Sequence, residues 1–230
     1  MIYVMSIDAA MMRVMRVTKL CEVNWFNEDE MYRRIYNVLN AENALLNPCS
    51  ITVLPPEPLP LEARPSVYGL CWSLERRIWF RQWPPPYTDF AHELIHLIPN
   101  KDVENEEIYA YNLSGFIIEL AKRGIKPLVN PVRLFNASNA SFISSVILEV
   151  IREVYNYPFK DLADFFMWIG VVPPFLKPRT NVDGFTLELD PSYDTMTIIL
   201  TTISEFAAGC VYDELMLKVL LRLLEKMKTS

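Results

Sequence analysis

The only two histidines of this 230-residue chain stand four residues apart, in the run His92-Glu93-Leu94-Ile95-His96. On an α-helix this spacing puts both imidazoles on one face, one turn apart. Two imidazoles so placed can share one zinc ion, and a carboxylate beside the first can reach a water at that metal. The ordinary use of a histidine on an apolar helix is as a hydrogen-bonded core residue. Here both histidines are in register, Glu93 is in place, and Glu104, Glu106 and Glu107 follow on the next predicted helix. One zinc ion per chain is therefore expected. A purely structural zinc fits less well, because closed sites favour four ligands, commonly cysteines.

Composition narrows the alternatives. The net charge is −6 and no Lys/Arg block stands out, which argues against a nucleic-acid surface. The first residues, Met1 to Asp8, lack a basic start, a full apolar stretch and an evident cleavage site, so export is not expected. Cys21, Cys49, Cys71 and Cys210 form no Cys-x-x-Cys pair and read as reduced thiols in a cytoplasmic protein. The longest apolar runs, 165–176 and 195–211, are broken by Pro173-Pro174 and Glu205. Both fall short of the roughly twenty residues a membrane span needs.

Along the chain, Asn27 followed by three acids predicts a helix start, with Met31, Ile35, Leu39 and Leu45 as its buried stripe and an end near Asn47. Ser50–Leu54 is a short β-branched strand stopped by Pro55-Pro56, and an extended proline-rich connection runs to Pro65. Residues 67–72 and 77–83 read as a hairpin turning at 73–76. Thr88 or Asp89 is expected to cap the histidine helix, which runs to Ile98 and stops before Pro99. A further helix starts at Val103 or Glu104 and ends at Arg123, where Gly124 takes the C′ position.

The second half reads as helices over 142–155 and 161–169, a turn at Asp183-Gly184, a short strand 185–189, and a mainly helical stretch 196–228. Leu217, Leu220, Leu221 and Leu224 form its apolar stripe, for the core or for a homodimer contact. The expected organisation is an α+β domain over 1–126 followed by a mainly α-helical domain over 127–230.

Residues from about Asn27 to Gly124 resemble the minimal gluzincin peptidase unit, as in minigluzincins and ImmA/IrrE-like peptidases. The H-E-x-x-H run and the stretch Glu107-Ile108-Tyr109-Ala110-Tyr111 carry the resemblance; relatives of the Ste24/HtpX kind usually have aspartate where Tyr111 stands. The resemblance implies a zincin-like subdomain of backing helix, small twisted sheet, histidine helix and glutamate helix. It implies His92, His96 and Glu107 as zinc ligands, with Glu106 the alternative third ligand and Glu104 a helix-start acid. Glu93 is then the general base of a water-promoted hydrolysis of peptide bonds. Tyr109, Tyr111 or Tyr68 is the expected auxiliary hydrogen-bond donor, and residues alone do not choose among them.

In zincins the strand before the metal helix usually lies at the cleft edge. Here that strand puts Arg77, Trp79, Arg81 and Trp83 on one face, as a platform for acidic or aromatic substrate side chains, or as a half-buried strand with arginines lying along it. The functional expectation is a soluble zinc-dependent endopeptidase acting on a peptide or protein substrate. The alternative is a non-enzymatic regulatory or protein-interaction module that keeps the fold.

Overall fold

The computed structural model describes residues 17–99, 106–181, 184–190, 192–207, 215, 218–219 and 221–223. Strand β1 (Thr18–Lys19) and a short helix α1 (Asn24–Glu28) lead into helix α2 (Glu30–Leu39). Asp29, not Asn27, caps α2 by accepting a hydrogen bond from the Met31 backbone N–H at 2.8 Å. The buried face is Tyr32, Ile35, Tyr36, Val38 and Leu39, a helical repeat.

The helix ends at Leu39 rather than near Asn47. Asn40 folds its side chain forward to accept from the Leu45 N–H at 2.9 Å, and Glu42, Asn43 and Leu46 take positive φ. Leu45 is buried as the apolar stripe required, but a turn delivers it and not the helix.

Three further strands, β2 (Thr52–Leu54), β3 (Gly69–Trp72) and β4 (Arg77–Phe80), complete a sheet of order β1-β2-β4-β3. The β3–β4 pair is the expected hairpin, antiparallel with Cys71 opposite Ile78, and Arg76 supplies the left-handed residue of its turn. Strand β4 also pairs in parallel with β2, Val53 opposite Ile78.

The strand expected at the cleft edge is thus interior, and it stops at Phe80 rather than Trp83. Trp79 is fully buried, because its indole N–H donates to the Pro56 carbonyl at 3.3 Å and the proline-rich connection covers that face. Arg81 donates through Nε to the Val67 carbonyl at 2.7 Å and lies over the Trp79 ring. Arg77 pairs with Glu75 and lies over Trp72. These contacts give the half-buried strand with arginines lying along it, the second of the two readings of this face. The edge strand is β3.

The cysteines also depart from expectation. Cys21 and Cys49 form a disulfide, 28 residues apart in sequence. The antiparallel β1–β2 register, Lys19 opposite Thr52, runs on through a hydrogen bond from the Leu20 N–H to the Ile51 carbonyl and brings the two cysteines together. A reducing compartment was inferred from unpaired thiols, and that inference loses its support. Cys71 is a free, half-buried thiol, and Cys210 lies outside the described residues.

Helix α3 (Tyr87–His96) and helix α4 (Glu106–Lys122) follow. Pro86 precedes α3, which begins two residues before the expected Asp89. Tyr32 Oη donates to the Pro85 carbonyl at 2.5 Å and Tyr87 Oη to Asp29 Oδ2 at 2.6 Å, tying the starts of α2 and α3. Behind them Trp25, Tyr32, Phe80 and Phe90 pack edge to face. At the far end of α4, Gly124 (φ +67°) donates to the Ala121 carbonyl and Ile125 to that of Leu120, the paired bonds of a glycine-terminated helix.

The second half comprises α5 (Pro131–Leu134), α6 (Ala140–Tyr155), α7 (Leu162–Ile169), a two-stranded hairpin of β5 (Leu176–Asn181) and β6 (Gly184–Leu189), and α8 (Thr195–Ala207). Asp161 caps α7 by accepting from the Asp164 N–H at 2.9 Å. Strand β5 escaped detection because Pro178 sits inside it, which a strand in a two-stranded sheet tolerates. The turn at Asp183, and Leu217, Leu220 and Leu224 of the C-terminal stripe, lie outside the described residues.

Helix α4 is buried on most of its circumference, packing against α2 and α3 on one side and α8 on the other. Buried residues from Leu20 to Leu223 consequently join in one core, with α4 at its centre. The fold is α+β, mainly helical with a small mixed sheet. Among the described residues, no helix is long and apolar enough to cross a membrane.

Candidate metal centre

His92 and His96 project from one face of α3, with ring centroids 4.8 Å apart and Nε2 atoms at 3.0 Å. Glu107, in the first turn of α4, closes the group: Oε2 lies 3.2 Å from His92 Nε2 and Oε1 3.5 Å from His96 Nε2. The three residues each offer a donor atom within 4.8 Å of the others. Tetrahedral ligands at about 2.0–2.1 Å from a zinc ion stand about 3.3 Å from one another, close to the separation of the two Nε2 atoms and of each ring from its nearer Glu107 oxygen. Two ring nitrogens and a carboxylate cannot all turn lone pairs to one point without a cation or a proton between them. The donor set fits a divalent metal.

Protonation favours the same arrangement. Burial, and then the neighbouring His96, hold the His92 imidazole below its ordinary range, against the opposing pull of Glu107 and Asp89. A neutral ring is the form that ligates. Glu106, next to Glu107 on the helix, reaches a different atom, with its Oε1 3.2 Å from His96 Nδ1. A proton on Nδ1 would leave His96 Nε2 free toward Glu107 and His92, an outer contact of the kind that orients metal-bound imidazoles. Consecutive helical residues point about 100° apart, so the two glutamates divide these tasks. Glu104 lies outside the described residues.

Glu93 is 6% exposed and its carboxylate faces the same cleft. Burial first, and then the charges of Glu107 and Asp89, push its carboxyl up to about 8. Among the described residues it makes no hydrogen bond, and Gly69 of the edge strand lies directly against it.

The cleft has a volume of about 490 Å³. Its walls are the α3 face carrying Thr88, Asp89, His92 and Glu93, the α4 face carrying Glu107, Tyr111, Ser114 and Gly115, and the edge segment Ser66–Gly69. Tyr68 and Tyr111 line it and are exposed. Tyr109, the third tyrosine proposed as an auxiliary donor, faces away: it is buried, and its hydroxyl donates to the Val132 carbonyl at 2.9 Å. Tyr109 stands two residues from both Glu107 and Tyr111, about 200° around the helix, which turns it from the cleft face to the core face. Arg77, Trp79 and Arg81 take no part in the lining.

Sequence reasoning missed Asp89, Gly69, Ser114 and Gly115. The helical period offered a signal for most of them, since residues 89, 92, 93 and 96 share one face, as do 107, 111, 114 and 115. Asp89 was read only as a cap. Gly69 had no local signal, because its role depends on a strand meeting a helix. No family model, curated protein or solved structure matches the chain.

Proposed function

We propose that the chain is a zinc-dependent metallopeptidase of the gluzincin kind. The observation that carries this reading is the convergence of His92 Nε2, His96 Nε2 and a Glu107 carboxylate oxygen on one point, beside the buried Glu93 carboxylate. When bound, a zinc ion supplies Lewis acidity, which acidifies water and polarises a carbonyl. His92, His96 and Glu107 hold the ion, and Glu106 orients His96.

Glu93 accepts the proton of the attacking water and passes it to the leaving nitrogen. Its carboxylate is buried and opens into the cleft beside the ligands, within the space a metal-bound water would occupy. Among the described residues β3 pairs with β4 alone, so its free edge can take an extended peptide as an added strand. Tyr68 and Tyr111 are the tyrosines of the described cleft lining, and either hydroxyl can meet the substrate carbonyl.

The test has two stages. Elemental analysis of tag-free protein should find about one zinc per chain, and little in His96→Ala. Peptides released from a proteome by the parent chain are then compared with those released by Glu93→Gln. Cleavage present in the first and absent in the second is the expected result. No zinc after reconstitution sinks the reading. Zinc without Glu93-dependent cleavage leaves the regulatory-module alternative.

A further inference from the structure

The cleft carries one negative charge that the proposed chemistry does not use. Its described lining includes three acids, Asp89, Glu93 and Glu107, and neither Lys nor Arg. Glu107 and Glu93 have places in the proposed chemistry, as metal ligand and general base. Asp89 is left over.

Among the described residues no Lys or Arg pairs with it, and the start of α3 and the His92 ring are the groups that offset its charge in part. Asp89 is half-buried, and its side chain makes one long hydrogen bond, from Thr88 Oγ1 at 3.4 Å, with no ion pair. It lies in the first turn of α3 but does not cap the helix through its side chain. A partly desolvated carboxylate without a full counter-charge is unfavourable, and a cation brought by a ligand would relieve it. Tyr68 and Tyr111, exposed on the same lining, add ring faces that attract a cation. The Glu93 carboxylate, 6% exposed and without a hydrogen-bond partner among the described residues, opens into the same cavity. That cavity is furnished for a polar ligand.

We propose that Asp89 is a specificity-determining residue that selects peptides with a cationic side chain close to the bond held at the metal. Asp89 stands one helical turn before His92, so their β-carbons are about 5–6 Å apart. A lysine or arginine next to the reacting residue, or one residue further, spans that distance. The inference rests on the reading of the cleft as a peptide site. It adds to that reading a substrate class, basic rather than acidic or apolar.

The test measures binding rather than turnover. The zinc-loaded chain is titrated by calorimetry, at low salt and low temperature, with acetylated and amidated Ala-Ala-Xaa-Ala-Ala peptides in which Xaa is Lys, Leu or Glu. Mass spectrometry checks that the peptides stay intact. The lysine peptide should bind about threefold to tenfold tighter than the leucine peptide, the range of a partly exposed ion pair, with the glutamate peptide weakest. Added salt should narrow the spread. Asp89→Asn should bring the three within about twofold of one another, whereas a mere helix-start role would alter its melting temperature and leave the ranking intact.

Equal binding of the three peptides to the parent overturns the assignment while leaving the peptide site standing. So does a lysine preference that survives in folded Asp89→Asn. If that variant does not fold, the parent's ranking and its salt dependence decide alone. Binding of none of the peptides by a chain that holds zinc removes both the peptide reading and the charge preference.

Discussion

A methyl group placed on Gly69 would lie 2.4 Å from Oε1 of Glu93 and under 3 Å from its Cγ and Cδ. The edge strand and the histidine helix therefore meet at the carboxylate, with no room for a side chain between them. Gly69→Ala should keep the fold and the metal, since no ligand is touched, but push the Glu93 carboxyl out of place. Displacing a reacting group by about 1 Å can cost around a hundredfold in rate, so cleavage should fall by about tenfold to a hundredfold. Zinc content and initial rate, measured together on a peptide that Glu93→Gln spares, give the answer. An unchanged rate would mean that Glu93 does not need this position.

The two neighbouring glutamates should separate in their effect on metal binding. Glu107 shares the convergence point, and its replacement by alanine should strip the site. Glu106 touches only His96 Nδ1, at 3.2 Å, so Glu106→Ala should weaken zinc by about tenfold to a hundredfold, as outer-contact losses do. Competition with a chromophoric chelator measures both. The opposite order would exchange their roles.

The Cys21–Cys49 bridge closes a 28-residue separation between the first and second strands. A loop of that length, opened in the unfolded chain, costs about 3–4 kcal/mol in the chain-entropy treatment. The double variant Cys21→Ala/Cys49→Ala, or the reduced parent, should unfold at correspondingly lower denaturant. Equal midpoints for oxidised and reduced protein would show that the bridge contributes nothing.

Acid should weaken the second half through Asp190. The Lys177 ammonium, 2.6 Å away, and then the Ser192 N–H, at 3.1 Å, hold its carboxyl down at about 2. A carboxyl more acidic in the folded than in the unfolded chain stabilises fully above its ordinary value of about 4. That contribution fades as the pH falls toward about 2. Asp190→Asn should melt lower than the parent at neutral pH and converge with it near pH 2, followed by thermal unfolding across the series. Parallel melting curves at every pH would remove the pair from the account.

Much of the fold was legible where the deciding physics is local. Gly124 ends α4 and Asp161 caps α7 because a left-handed glycine and a short acceptor side chain satisfy the backbone groups of their own helices. The end of α2 was misplaced because Asn40 bonds forward to Leu45, a choice the apolar spacing does not encode. In the site, His92, Glu93 and His96 were evident as a group, since one helix places all three. Gly69 was invisible for the opposite reason: what it must avoid is supplied by another element.

The sequence by itself determined that two imidazoles and a carboxylate share one helical face, because a 3.6-residue period leaves them nowhere else to go. It also determined that acids follow on the next helix. Tertiary structure alone decided that Glu107 meets both rings while Glu106 goes to His96 Nδ1, and that Tyr109 turns into the core while Tyr111 faces the cleft. It decided as well that β4 is interior and β3 is the edge, and that Cys21 finds Cys49. Each of these depends on the rotation of one packed element against another, or on a strand register. Those are set by the summed burial of a core whose described members run from Leu20 to Leu223, which no local stretch contains.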